Sequence, residues 1–312
     1  KGPPEYHPPK DTVRFSEDHL VTRLPESYAN YVLGGTGRYM IFHLKEAKTV
    51  AVMALLSGRI VHQIKDVSDD VLLAAGAEKL LLVLPSQKFI QRHSLKTFER
   101  EKIARLPGKG ATRAAHMGCS GAGPLLLGAG DAILFDVDKM EPIDADGQVV
   151  GASGYNNYMP QTRVSSDGRT FTSIPNGYGT MPYARMIVDG RRTTIGKFSA
   201  TSYATRWAQP TADGTLLLLP GTGFYSANLE KLETDWLKGT FTLPTVDPRF
   251  FLAPTFADDT ERGRKLTHVN ICTVNDRQIV HTYVGLEELE PTGHTNTRAG
   301  QYNRHVTGGE QL

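Results

Sequence analysis

The chain reads as an all-β protein, a β-propeller of four-stranded blades. Three observations predict this: a turn-rich composition, a turn-plus-apolar-run unit that recurs at blade-like spacing, and the scarcity of helical periodicity. The 312 residues include 31 Gly and 18 Pro, the punctuation of a chain with many turns. An apolar fraction of 39% and a charged fraction of 22% are those of a folded chain.

The recurring unit is a turn rich in Gly, Asp or Pro followed at once by an apolar run. The runs begin at Tyr39, Leu80, Leu125, Phe171, Leu216 and Phe250, spaced 41, 45, 46, 45 and 34 residues apart. Repeats of about 40 to 50 residues built from short strands mark propeller blades. Six units are visible, which predicts a six- or seven-bladed ring. Within the first unit, Arg38–Leu44, Thr49–Met53 and Arg59–Ile64 read as strand, turn, strand, turn, strand. In the second, Leu80–Leu84 is continuously apolar, while Phe98–Ile103 mixes apolar with charged positions as a half-exposed outer strand does. An echo of Leu95-Lys-Thr97 returns as Val137-Asp-Lys139 and Leu229-Glu-Lys231 between the last two strands of a unit. The best helix candidate, Val71 to Leu82, is split by Gly76, and the repeat makes it two strands around that glycine.

The segments Tyr31-Val-Leu-Gly-Gly-Thr-Gly-Arg-Tyr-Met40, Leu81-Leu-Val-Leu-Pro85, Ser94-Leu-Lys-Thr-Phe-Glu-Arg100 and Ser166-Asp-Gly-Arg-Thr-Phe171 together resemble the WD40-like and quinoprotein-like propellers of large bacterial multidomain proteins. The Gly-His and Trp-Asp dipeptides of strict WD40 blades are absent; the tryptophans are Trp207 and Trp236. The resemblance implies seven blades as the common number, other protein subunits as partners, and an extracytoplasmic or membrane-tethered setting with any tether outside this chain; a cytoplasmic setting is the alternative. The propeller is expected over 28–289. Residues 1–27 read as a linker in which Leu20-Val-Thr-Arg-Leu24 is a candidate latch strand, and 290–312 as a polar tail or the start of a further blade.

Charge and motifs narrow the function classes. Lys and Arg total 35 against 33 Asp and Glu, a net charge of +2, so no overall field draws the chain to nucleic acid or an anionic membrane. The basic pairs Arg191-Arg192 and the run Glu261–Lys265 read as solvated turns, and nucleic acid is not expected as a partner. No uninterrupted apolar stretch is long enough for a membrane span. Cys119 and Cys272 have no metal-ligand spacing; they are either one disulfide or two buried thiols, the second being the plainer reading. The ten histidines form no HExxH or His-x-His pattern, and no Gly-x-Ser-x-Gly elbow occurs. Catalytic, cofactor and metal residues are therefore expected to be none. The Gly-rich run after Leu125 resembles a phosphate turn, but the strand-like Ile133–Val137 that follows makes it a hairpin. Ser165–Phe171 resembles a sialidase-type Asp-box turn, present once and structural in role.

Two Tyr- and Gly-rich stretches, 151–160 and 177–183, have the make-up of recognition loops, because Tyr couples a large apolar body to a polar tip. Tyr155, Asn156, Asn157, Tyr158, Tyr178 and Tyr183 are the expected partner-contacting residues. The predicted function is a non-catalytic scaffold for protein partners; the alternative is an enzyme or small-ligand binder at the mouth of the central channel.

Overall fold

The computed structural model describes residues 24–108, 110–129, 131–149, 161–174, 183–198, 208–219, 223–226, 228–232, 242–259 and 263–284. Their strands form six four-stranded antiparallel sheets, each a meander in sequence order. Blade 1 holds β1 (Asn30–Gly34), β2 (Tyr39–Leu44), β3 (Thr49–Ala54) and β4 (Arg59–Ile64). Blade 2 holds β5 (Leu72–Ala75), β6 (Lys79–Leu84), β7 (Phe89–Ser94) and β8 (Arg100–Arg105). Blade 3 holds β9 (Ala114–His116), β10 (Leu125–Ala129), β11 (Asp131–Asp136) and β12 (Glu141–Pro142). Blade 4 holds β13 (Gln161–Val164), β14 (Thr170–Ile174), β15 (Tyr183–Asp189) and β16 (Arg192–Phe198). Blade 5 holds β17 (Gln209–Pro210), β18 (Leu216–Leu219), β19 (Gly223–Ser226) and β20 (Lys231–Leu232). Blade 6 holds β21 (Leu243–Pro244), β22 (Phe250–Asp259), β23 (Gly263–Thr273) and β24 (Ile279–Val284). Among the described residues the ring therefore has six blades. Each of the six repeat residues lies at the first or second position of its blade's second strand.

First strands of successive blades touch along the axis, from β1 to β5, β9, β13, β17 and β21. Second strands lie one layer out and are covered on both faces, which is why Leu80–Leu84 is an unbroken apolar run: Leu80 and Leu82 pack toward blade 1, Leu81 and Val83 toward blade 3. The outermost strand of blade 1 alternates, with Arg59, Val61 and Gln63 of β4 exposed and the residues between them half-buried, whereas β8 of blade 2 is exposed at every position but Ala104. Phe135, Phe171, Phe224 and Phe251 are at most 1% exposed in the cores between blades, and each such burial stabilises by roughly 1.5–3 kcal/mol.

Gly76 does break the Val71–Leu82 window into β5 and β6, and Leu125–Val137 is the hairpin of β10 and β11. Ser94, Asp136 and Ser226 end the third strands of their blades and accept backbone N–H bonds from the turn that follows, at Lys96 and Thr97, Asp138 and Lys139, and Asn228 and Glu230. Aligned on those caps, the third sequence echo stands two residues late: Leu95 and Val137 directly follow their caps, whereas Leu229 is third after Ser226. Cys119 and Cys272 are both buried and are not joined in a disulfide. The latch segment lies outside the described residues except for Leu24, which packs on the Phe42, Leu44 and Ala51 cluster of blade 1.

Candidate functional site

In an antiparallel meander the turns between first and second strands all emerge at one end, with those between third and fourth. The turns between second and third strands, and the connections between blades, emerge at the other. Two candidate surfaces follow: the axial mouth at the first end, and the loop-bearing face at the second.

At the axial mouth the first turns of the blades knit into a collar. Gly35 N donates to Gly76 O of blade 2 at 2.8 Å, and Thr36 N donates to Cys119 O of blade 3 at 3.0 Å. Ala77 N donates to Gly121 O at 2.9 Å, Ser120 N to Ser166 O at 2.8 Å, and Asp167 N to Ala212 O at 3.0 Å. Backbone thus hands on to backbone from blade 1 through blade 5. The approach requires glycine: a Cβ on Gly76, Gly118 or Gly121 would lie under 3.0 Å from backbone atoms of a neighbouring turn. Gly37 carries φ +77° and abuts the Val246 side chain, which brings the turns of blades 1 and 6 together.

Blades 4 to 6 build the same turn from side chains. The Ser165 hydroxyl donates to the Asp167 carboxylate at 2.5 Å and accepts from Thr170 N at 2.9 Å. In blade 5 the Thr211 hydroxyl donates to Asp213 at 2.9 Å and accepts from Leu216 N at 3.1 Å. Asp167, Asp213 and Asp247 each accept the backbone N–H two residues on, from Arg169, Thr215 and Arg249. The Asp turn expected once therefore occurs three times, as Ser165-Ser-Asp-Gly, Thr211-Ala-Asp-Gly and Thr245-Val-Asp-Pro. Tolerance of Ser or Thr at the first position and of Pro in blade 6 hides it from a search for one motif. Paired Arg249 holds the Asp247 carboxyl below its usual range, by hydrogen bonding first.

Beneath the collar, Val32, Leu73, Ala115, His116, Cys119 and Val164 are among the residues that enclose a cavity of about 20 Å³, room for one or two water molecules. His116 is 8% exposed, and its Nδ1 has no hydrogen-bond partner among the described residues. Burial, with the Arg163 cation second, lowers its pKa to about 4, so the ring is neutral at pH 7. Burial pushes the Cys119 thiol up, against hydrogen bonds to Ser166 and Ser120, and pushes Cys272 to about 12. Neither is an activated nucleophile, because the thiolate is the reactive form. Sequence reasoning did not single out His116; a His among apolar residues on a short strand carries no distinguishing signal. Among the described residues no group of three or more His, Cys, Asp or Glu converges, and no helix is long and apolar enough to cross a membrane.

Tyr155, Asn156, Asn157, Tyr158 and Tyr178 lie outside the described residues. Tyr183 begins β15, its backbone paired with Phe198. The strand ends that bracket the two Tyr-rich stretches, Gln161, Ile174 and Tyr183, all belong to that one end of blade 4, Gln161 being paired with Ile174. Of the basic pair, Arg191 is not free: it binds Asp144 at 2.6 Å and so ties blade 4 to the connection leaving blade 3.

Comparison with known proteins agrees with a β-propeller. The β-propeller domain of Cps50 (Swd1) from Myceliophteria thermophila aligns over 86% of this chain and 89% of its own, with a TM-score of 0.51 at 12% identity. Hydrazine synthase from Kuenenia stuttgartiensis aligns over 85% of this chain and 71% of its own, with a TM-score of 0.43 at 14% identity. At 12% identity the likeness to the Cps50 propeller is one of fold. No protein-family model matches the chain, and no curated protein does.

Proposed function

We propose that this propeller is a non-catalytic scaffold that binds other proteins through the loop-bearing face of blade 4, with Tyr155, Asn156, Asn157, Tyr158, Tyr178 and Tyr183 as contact residues. The observation that carries the reading is that Gln161, Ile174 and Tyr183, the described residues bracketing both Tyr-rich stretches, share one end of blade 4; beside it, the cavity between the first strands of blades 1 to 4 measures about 20 Å³ among the described residues, against about 300–1,000 Å³ for a ligand pocket. Both Tyr-rich stretches spring from one end of one blade, and Tyr and Gly together give contact area with adaptable backbone.

The test is native mass measurement of the chain recovered from its source, followed by Tyr155→Ala/Tyr158→Ala and Tyr178→Ala/Tyr183→Ala variants. A defined complex that either double variant weakens by about tenfold or more fits hot-spot tyrosines. A monomer in the native extract, or a complex indifferent to both variants, would sink the assignment of this face.

A further inference from the structure

The outer strands of blade 2 have two unlike faces. Strand β8, Arg-Glu-Lys-Ile-Ala-Arg, forms the rim of the blade and pairs with β7. Directly opposed residues of an antiparallel pair point to the same side, so the register fixes which way each side chain faces. Lys102 stands opposite Arg92 and Ala104 opposite Ile90, on the side of Leu81 and Val83 that packs against blade 3. The cations there are engaged. Lys79 and Arg92 bind Glu101 at 2.7 and 2.8 Å, Arg92 also donates to the Val137 and Asp138 carbonyls, and the Lys102 ammonium donates to the Lys139 carbonyl at 2.7 Å.

The other side is unsatisfied. Arg100 stands opposite His93, Ile103 opposite Gln91 and Arg105 opposite Phe89, on the side of Leu82 and Leu84 that packs against blade 1. Phe89 and Ile103, diagonal neighbours on this side, are 46% and 47% exposed. Among the described residues no ion pair involves Arg100 or Arg105. Strand β7 has no carboxylate, and that of β8, Glu101, is turned the other way. Across the seam His62 of blade 1 stacks on Phe98 at 4.9 Å, and Ile64 packs on the core shared by the two blades. Along β8 the rim therefore reads cation, apolar, cation, with the Phe89 ring beside the second cation.

We propose that this strip docks an acidic segment of a partner polypeptide, in which two carboxylates flank a large apolar side chain. This rests on the scaffold reading and names a second face for it. Charge selects the occupant: arginines with no acid on their side of the strands take carboxylates in paired, planar hydrogen bonds. Phe89 and Ile103 select an apolar residue between those carboxylates, which a phosphate backbone does not supply. Arg100 and Arg105 lie opposite residues four apart on β7, and an extended segment returns a side chain to the same face every second residue. Carboxylates four residues apart, with the apolar residue midway, match that span. Two features favour a partner over the chain's own ends. Leu24 packs on the Phe42, Leu44 and Ala51 cluster, the face of blade 1 turned away from blade 2, and residues 1–23 before it hold four Lys and Arg against four Asp and Glu, with no net charge to offer. The acidic run of Glu287, Glu288 and Glu290 comes within six residues of Val284 on the outer strand of blade 6, with all of blade 1 between.

The probe is a fluorescent peptide with the core Glu-Ser-Leu-Ser-Glu between neutral ends, bound to the full chain and read by anisotropy. Two control peptides replace both glutamates with Gln, or the Leu with Ser. The parent is expected to bind at or below about 0.1 mM and each control about tenfold more weakly, with binding weakened as salt is raised. Arg100→Gln/Arg105→Gln, at exposed positions, should weaken the parent by about tenfold or more at an unchanged melting temperature. Lys102→Gln, on the other side of the same strand, should leave binding intact. No binding by the wild type, a Gln peptide that binds as well as the parent, or a Lys102→Gln loss equal to that of the arginine pair overturns the proposal. A single-stranded oligothymidylate that binds more tightly and displaces the peptide assigns the strip to nucleic acid and overturns it too. So does a gain of about tenfold in peptide affinity in the full chain carrying Glu17→Gln/Asp18→Gln or Glu287→Gln/Glu288→Gln, which assigns the strip to this chain's own ends. If a native complex is lost in the Tyr155→Ala/Tyr158→Ala variant but survives in Arg100→Gln/Arg105→Gln, the blade 4 assignment stands and this proposal alone falls.

Discussion

Blades 1 to 3 and blades 4 to 6 solve one problem in two ways. Each must turn the chain from the axial strand to the next without leaving buried backbone groups unpaired. The first three send their turn N–H groups into the carbonyls of neighbouring turns, which forces glycine at the closest approaches. The last three satisfy the turn locally with a Ser or Thr hydroxyl and an Asp carboxylate. The first solution couples blades to one another; the second closes each turn locally, and blade 4 uses both, since its Asp167 N also donates to Ala212 O of blade 5. A ring whose parts look alike in outline is thus held together unevenly.

Substituting into the collar should expose that difference most strongly. Gly118→Ala places a methyl group under 3.0 Å from Gly168 N and Ser165 O, and with backbone on both sides it should cost about 3 kcal/mol in the denaturant midpoint. Gly190→Ala is the control, since nothing stands within 4 Å of its Cβ and only its φ of +60° opposes the change; about 1 kcal/mol is expected. Equal losses would mean the collar is looser than its contacts imply.

Acid should also act on the blade 3 side. The folded pKa of His116, about 4, lies below the ordinary histidine value of 6.5. As pH falls from 6.5 the unfolded chain takes up this proton first, so stability is whole above pH 6.5 and declines toward pH 4. The share from His116 amounts to about 3 kcal/mol at the lower end. His43 and His93 are lowered as well, chiefly by burial, and contribute to the same slope. His116→Gln should flatten part of the stability profile between pH 4 and 6.5; an unchanged slope would exclude His116 as an acid-sensitive group.

The smallest effect is expected in the half whose turns close locally. Asp213→Ala removes the acceptor for Thr211 Oγ1, Thr215 N and Thr215 Oγ1, a loss of about 1 kcal/mol in an exposed turn. Amide exchange should quicken at Thr215 and Leu216 and remain as in the wild type in blades 1 to 3. Spread of the change to the collar would show that the Asp turns also carry inter-blade coupling.

The sequence by itself determined the blade repeat and most strand positions. A second strand pressed between two neighbours must be apolar on both faces, so its runs at Tyr39, Leu80, Leu125, Phe171, Leu216 and Phe250 stand out against the turns before them. The hairpin after Leu125 and the split at Gly76 were legible for the same reason. Tertiary structure alone decided the number of blades that close the ring, the reach of Thr36 to Cys119 across blade 2, and the burial of His116. It also left Leu252 half-buried, a residue no different in sequence from the fully buried Leu126 or Leu218. Periodicity records which side chains must leave water, because that demand repeats with every strand. Which neighbour covers each one depends on contacts between residues far apart in the chain, and no local pattern encodes them.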